Sequence, residues 1–183
     1  YDGMTFSKTG TVTKVSILDL ASGIVGQTIT VNTNHEMFCT GLAIMADGRV
    51  MINGGSSDSA TTIYNPTTNT WTTGPLMKIP RAYQSSTLLS TGQVFTLGGS
   101  WYDSAGSKNG EVFTPSGTTG SWAKLPNVTA TNILTADPAG VYRADNHAWL
   151  FAVASGGVFH AGPSKQMNWI TTSGTGSITS AGN

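Results

Sequence analysis

Two glycine pairs, Gly54-Gly55 and Gly98-Gly99, lie 44 residues apart, and the residues around them fall into register. Residues 42–56 align with residues 86–100 without a gap. Each block reads as an apolar run, a turn and a second apolar run, with Asp47-Gly48 and Thr91-Gly92 where a hairpin needs positive φ. Downstream, Ile63-Tyr64-Asn65-Pro66 aligns with Val112-Phe113-Thr114-Pro115, and Trp71 with Trp122. The unit is therefore a hairpin, a glycine pair, a third strand ending in aromatic-x-Pro, and a fourth strand that carries a tryptophan. Such a unit cannot bury its apolar faces alone and must stack on its neighbours, so the repeat decides the architecture.

A third copy is degenerate. His147-Ala148-Trp149-Leu150-Phe151 leads to Gly156-Gly157-Val158-Phe159-His160-Ala161-Gly162, and Trp169 is read as its closing strand. Upstream, Ile17-Leu18-Asp19-Leu20-Ala21-Ser22-Gly23 resembles the last strands of a preceding unit. Periods near 50 residues with Gly-Gly and a late tryptophan are the signature of a kelch-type β-propeller with four strands per blade. No window has helical periodicity. The expectation is an all-β chain: the end of a preceding blade over 1–34, repeats over about 35–78, 79–126 and 127–172, and a tail over 173–183. At about 50 residues per blade the chain supplies three to four blades, whereas propellers close with roughly four to eight. It is therefore expected to be part of a larger propeller whose remaining blades complete it.

Composition removes several function classes. Charged residues make up 10% of the chain, and nine Lys and Arg cancel nine Asp and Glu. Neither a nucleic acid nor an anionic membrane surface is expected as partner, since both require a basic face. No run approaches the roughly 18 apolar residues of a membrane span. The polar surface must come from Thr, Ser, Asn and Gly, which suits strands, turns and an extracellular setting. Tyr1-Asp2-Gly3 carries neither an initiating Met nor a signal-peptide pattern, so the chain is expected to be processed or excised from something longer. Cys39 is the single cysteine, which excludes an internal disulfide framework. Asn127-Val128-Thr129 fits the N-glycosylation sequon, a pointer to secretion.

The chemistry lies in one slot of the repeat. Cys39 is 15 residues before Gly54, and Tyr83 is 15 residues before Gly98. His147 holds the same place in the looser register of the third copy. This slot begins the first strand of each blade, the strand that lines the propeller axis, so side chains from neighbouring blades converge there as a metal or catalytic centre requires. Singly, a cysteine before a strand is most often a small buried apolar residue, and a tyrosine there a half-buried amphipathic one. The constant offset in consecutive repeats sets a joint role beside these structural readings as an equal alternative. His35 and His160 read as structural.

His35-Glu36-Met37-Phe38-Cys39, Arg81-Ala82-Tyr83-Gln84-Ser85-Ser86, Gly98-Gly99-Ser100-Trp101 and Tyr142-Arg143-Ala144-Asp145-Asn146-His147-Ala148-Trp149-Leu150-Phe151 resemble, in collinear order, the galactose oxidase family of secreted fungal copper radical oxidases. The resemblance implies the first half or so of a seven-bladed catalytic propeller. It implies that Cys39 is joined by a thioether bond to the ring of Tyr83, giving a Cys-Tyr cofactor, and that Tyr83 is a copper ligand and the seat of a tyrosyl radical. Sulfur on the ring would delocalise the unpaired electron, and copper(II) with one protein radical would make a two-electron oxidant. Trp101 would stack over the thioether, Arg143 would donate to sugar hydroxyls, and Phe6 would line the substrate pocket. For Arg143, an ion pair with Asp145 remains an equal alternative. The implied reaction oxidises a primary alcohol, such as the C6 hydroxyl of a galactoside, to an aldehyde while dioxygen becomes hydrogen peroxide.

The resemblance also implies an incomplete cage. The family's axial tyrosine, the histidine beside it and a second histidine come from later blades, and none of these motifs occurs by residue 183. One phenolate and one thioether cannot hold copper in the tetragonal N/O geometry it prefers. Two other readings stand beside this one: a non-catalytic kelch module that binds carbohydrate or protein, and a related oxidase acting on a different primary alcohol.

Overall fold

The glycine-pair repeat folds as the alternation of apolar runs and turns demands. The computed structural model describes residues 12–100, 107–133, 148–162 and 164–183. Among these residues β1 (Thr13–Val15) pairs with β2 (Ile29–Val31) as a two-stranded sheet, and three four-stranded sheets follow. The first is β3 (Gly41–Ile44), β4 (Val50–Asn53), β5 (Thr61–Asn65) and β6 (Thr70–Thr73). The second is β7 (Ser85–Leu88), β8 (Val94–Leu97), β9 (Gly110–Ser116) and β10 (Thr119–Leu125). The third is β11 (Trp149–Ala152), β12 (Val158–Ala161), β13 (Met167–Thr171) and β14 (Ser177–Gly182). Each sheet is an antiparallel meander in chain order, and among the described residues the helical content is limited to short 3-10 turns such as Gly55–Ser57 and Ala130–Ile133. The architecture is the all-β stack of propeller blades expected from the repeat.

The cores lie between blades. Ala43, Met51 and Ile63 of the first sheet and Val94, Phe113 and Trp122 of the second form one buried cluster. Phe95, Leu97 and Val112 pack with Val158 and Ile170 of the third sheet in another. Phe95 and Phe113 are completely buried, and burial of a side chain of that size stabilises by roughly 1.5–3 kcal/mol. The tryptophan Trp122 belongs to the first of these clusters. Tyr64 and Trp71 are cross-strand partners with stacked rings 4.4 Å apart, and Phe113 and Trp122 are the equivalent pair at 5.3 Å. Trp122 Nε1 also donates to Thr61 Oγ1 of the preceding blade at 3.0 Å. The innermost strands β3, β7 and β11 lie side by side, so their N-terminal ends are neighbours in space.

The third blade corrects the expected register. Gly156-Gly157 is the hairpin turn between β11 and β12, not a counterpart of Gly54-Gly55. Val153 and Gly157 close it with a 3.0 Å bond, as Met45 and Arg49 do at 2.7 Å and Leu89 and Gln93 do at 2.8 Å. Trp169 sits on the third strand, paired with Phe159 of β12, and the segment 173–183 read as a tail contains the fourth strand β14. The sequence misleads here because a Phe-Trp pair has moved inward by one strand. With the turn glycine as anchor, Cys39, Tyr83 and His147 each lie nine residues before Gly48, Gly92 and Gly156.

Candidate active site

Cys39 and Tyr83 each precede the innermost strand of their blade by two residues, at the same end of the stack. The amide of Tyr83 donates to the carbonyl of Cys39 at 2.8 Å, so the two blades are joined at the slot itself. Both residues have left-handed backbones, Cys39 with φ 62° and Tyr83 with φ 59°. A non-glycine residue held there costs on the order of 1–3 kcal/mol, and such conformations persist where the surroundings over-determine them, typically at functional sites. Both are half-buried.

The glycine pairs explain how the slot is fixed. Ser56 donates its amide to the carbonyl of Phe38 at 2.9 Å, and Ser100 donates to the carbonyl of Ala82 at 2.8 Å. These are equivalent bonds in the two repeats, each made to the residue just before the slot. Gly55 also donates to the carbonyl of Arg81 at 2.9 Å, across the blade boundary. Gly54 has φ 71° and ψ −147°, a region open to glycine almost alone. A Cβ on Gly54 would come within 2.5 Å of the Arg81 carbonyl oxygen. The side chain of Gln84 crosses beneath the pair and donates Nε2 to the carbonyl of Asn53 at 2.5 Å.

Two buried polar side chains lie behind the glycine pairs. His35 Nε2 donates to the carbonyl of Gly54 at 2.7 Å, which fixes the tautomer, and Nδ1 accepts from Thr62 Oγ1 at 3.0 Å. Thr33 then donates to Thr62 at 2.7 Å. Burial pushes the His35 imidazole below its ordinary value of 6.5, and the bond to Gly54 opposes this only in part. Arg81 is fully buried. Its Nη1 donates to the carbonyls of Gly98 at 2.9 Å and Lys108 at 3.0 Å. Its Nη2 donates to the Asn109 carbonyl at 2.6 Å and to Glu111 Oε2 at 2.9 Å. Burial pulls the guanidinium pKa down, while the charge and hydrogen bond of Glu111 hold it up. Glu111 is itself buried and accepts the amides of Lys78 at 2.7 Å and Ile79 at 3.2 Å.

The structure therefore brings Cys39 and Tyr83 together and gives His35 a structural setting. His160 is likewise buried on β12, its Nδ1 accepting from Asn168 Nδ2 at 3.1 Å. Phe6, Trp101, Arg143 and His147 lie outside the described residues. The partners that sequence reasoning passed over are Arg81 and Glu111. The signal was available: in a chain with 10% charged residues, Glu111 stands inside an apolar strand where the preceding repeat has Thr62. Among the described residues, no three of His, Cys, Asp or Glu come together as a metal cluster.

A blade-to-blade cysteine–tyrosine corner on a β-propeller is the class that fold and site define. No protein-family model matches the chain. Two curated relatives, both galactose oxidases of Gibberella zeae, one of them from strain PH-1, are 46% identical over 173 residues. That match takes in 94% of this chain and 25% of each relative. A solved fungal alcohol oxidase of the AA5 family, in complex with copper, superposes with a TM-score of 0.84 at 38% identity, over 96% of this chain and 36% of that one. The chain belongs to the galactose oxidase family, and it spans about a quarter of the length of its curated relatives.

Proposed function

We infer that this chain is the part of a secreted copper radical oxidase that supplies the Cys39–Tyr83 cofactor, and that the whole protein oxidises a primary alcohol of the galactose C6 type to an aldehyde. The observation that carries the reading is the Tyr83 N–H to Cys39 carbonyl bond at 2.8 Å, made between two left-handed residues in equivalent slots of adjoining blades. Joining Cys39 Sγ to a Tyr83 ring carbon breaks one S–H and one C–H bond and forms one S–C bond. Two protons and two electrons leave, and dioxygen takes them up as hydrogen peroxide.

The residues present fit one side of a copper site. The Tyr83 phenolate is an oxygen donor suited to copper(II), and the remaining ligands would come from blades beyond the described residues. Copper, when bound, would hold one of the two oxidising equivalents and gather the alcohol beside Tyr83. The other equivalent would reside on the Tyr83 ring, whose oxygen would take a hydrogen atom from the alcohol carbon; the second electron and the hydroxyl proton would leave as the aldehyde forms, and dioxygen would take up both electrons and both protons as hydrogen peroxide. The thioether lowers the cost of that radical by spreading it onto sulfur. Trp101 would exclude water from the ring, and Arg143 and Phe6 would orient the substrate. The missing blades are supported by the 25% span of the relatives and by Trp149, Phe151 and Trp169, left exposed on the third blade.

The copper-bound AA5 alcohol oxidase supports a second reading of the substrate, a primary alcohol other than a galactoside. The test is mass spectrometry of the full-length protein after exposure to copper and air. A linked Cys39–Tyr83 peptide, lighter by two hydrogens, is expected. An unmodified thiol and tyrosine in the copper-loaded enzyme would sink the reading. Turnover of galactosides against other primary alcohols then separates the two substrates.

A further inference from the structure

The two slots are held by matching devices built from different amino acids. Gly54 and Gly98 are the same position in successive repeats, and so are Thr62 and Glu111, each one residue before the aligned Ile63 and Val112. His35 bridges the Gly54 carbonyl and the Thr62 side chain. Arg81 bridges the Gly98 carbonyl and the Glu111 side chain. The imidazole enters from four residues before Cys39, and the longer guanidinium from two residues before Tyr83. Each clamp thus ties the first glycine of its pair to the third strand of its own blade.

We propose that His35 and Arg81 are equivalent positioning residues, one per blade, whose clamps on Gly54 and Gly98 set Cys39 and Tyr83 in place for formation of the thioether bond. The route of the effect is short and the same in both blades. A fixed Gly54 fixes the Ser56 amide, which holds the Phe38 carbonyl next to Cys39; a fixed Gly98 fixes the Ser100 amide, which holds the Ala82 carbonyl next to Tyr83. Arg81 adds a second link, because its own carbonyl accepts Gly55 from the other pair. The slot residues sit in a strained backbone region, so without the clamps each would relax towards ordinary φ and carry its side chain away from the other. Formation of a bond between two side chains is steeply sensitive to their relative placement.

The proposal rests on the reading of Cys39 and Tyr83 as the cofactor pair, and the experiment separates the two. Full-length protein is prepared without copper as wild type, His35→Ala, His35→Gln and Arg81→Met. Copper and air are then added, and the cross-linked fraction is followed by intact mass and peptide mapping, with circular dichroism recording the fold. Wild type is expected to lose two hydrogens at the Cys39–Tyr83 pair as the S–C bond forms and dioxygen is reduced. His35→Ala and Arg81→Met are expected to cross-link at least about tenfold more slowly while remaining folded. His35→Gln, whose amide can still donate to Gly54, is expected to recover most of the rate. If Arg81→Met does not fold, the His35 pair carries the test. Folded variants that cross-link at the wild-type rate would overturn the clamps' role and leave the cofactor standing. A wild-type protein that never cross-links would overturn the cofactor and the clamps together.

Discussion

Tyr83 donates its amide to the carbonyl of Cys39 at 2.8 Å, and both residues hold a left-handed backbone two residues before an innermost strand. The bond joins two blades through main chain alone, so the corner exists whether or not the side chains are linked. Its strain predicts a substitution series. Cys39→Gly and Cys39→Ala both remove the thiol, but glycine at φ 62° escapes the steric cost. After allowance for the greater freedom of glycine in the unfolded chain, the glycine variant should be roughly 0.5–1 kcal/mol more stable than the alanine variant. Denaturant unfolding of the full-length protein measures the difference, and a less stable glycine variant would contradict the left-handed geometry.

The glycine pair makes a sharper contrast. Gly54→Ala would set a methyl group 2.5 Å from the Arg81 carbonyl in a backbone region open to glycine almost alone. Gly117, at φ 54° in the β9–β10 turn, has no atom within 4 Å of its would-be Cβ. Gly54→Ala should cost roughly 3 kcal/mol or more. Gly117→Ala should cost only the left-handed penalty of about 1–2 kcal/mol. Thermal melts of the two variants side by side decide it; equal losses would mean that the Arg81 carbonyl yields to the added methyl group at no cost.

These elements differ in how far the sequence revealed them. The hairpins were legible because Asp47-Gly48 and Thr91-Gly92 set residues that accept positive φ between two short apolar runs. The Tyr64–Trp71 and Phe113–Trp122 pairs were legible as recurring aromatic positions. The third blade was not, since Gly156-Gly157 looks like a glycine pair of the other kind while its backbone closes a hairpin. The offset of Cys39 and Tyr83 placed them in one slot, yet their shared strain depends on long-range bonds that no local pattern contains. The clamps were hidden for a further reason. His35 and Arg81 occupy different offsets from the slot, and only the three-dimensional positions of Gly54 and Gly98 make them equivalent.

His35 also makes the stability of the fold depend on pH. Burial lowers its pKa below 6.5 in the folded chain, while the unfolded chain takes up its proton near that ordinary value. Below about pH 6.5 the unfolded state therefore binds more protons, and stability falls as pH falls. Above that value both states are neutral at this site and its contribution is fully present. His160 is shifted in the same direction, with burial as the main cause, and adds to the slope. The neutral ring is also the one that accepts from Thr62, so protonation breaks that bond. His35→Gln should reduce the loss of stability between about pH 6.5 and 5, measured as urea midpoints across that range. An unchanged slope would mean that His35 does not titrate between folded and unfolded states.

The buried pair of Arg81 and Glu111 has 0% side-chain exposure at both partners and a 2.9 Å contact, so removal of either leaves an uncompensated charge away from water. Arg81→Met should cost about 3–5 kcal/mol on that account. Glu111→Leu should cost at least as much, because the amides of Lys78 and Ile79 lose their acceptor as well. Glu111→Gln should be milder, since its amide oxygen can still accept one of them. The double variant Arg81→Met/Glu111→Leu removes both charges, and its loss should fall short of the sum of the singles by about 2 kcal/mol. It should not return to wild type, because the carbonyls of Gly98, Lys108 and Asn109 still lack the guanidinium that ties them together. Urea unfolding of the four proteins closes the cycle. Strict additivity would mean that the two charges do not stabilise each other and that Arg81 acts through its carbonyl contacts alone.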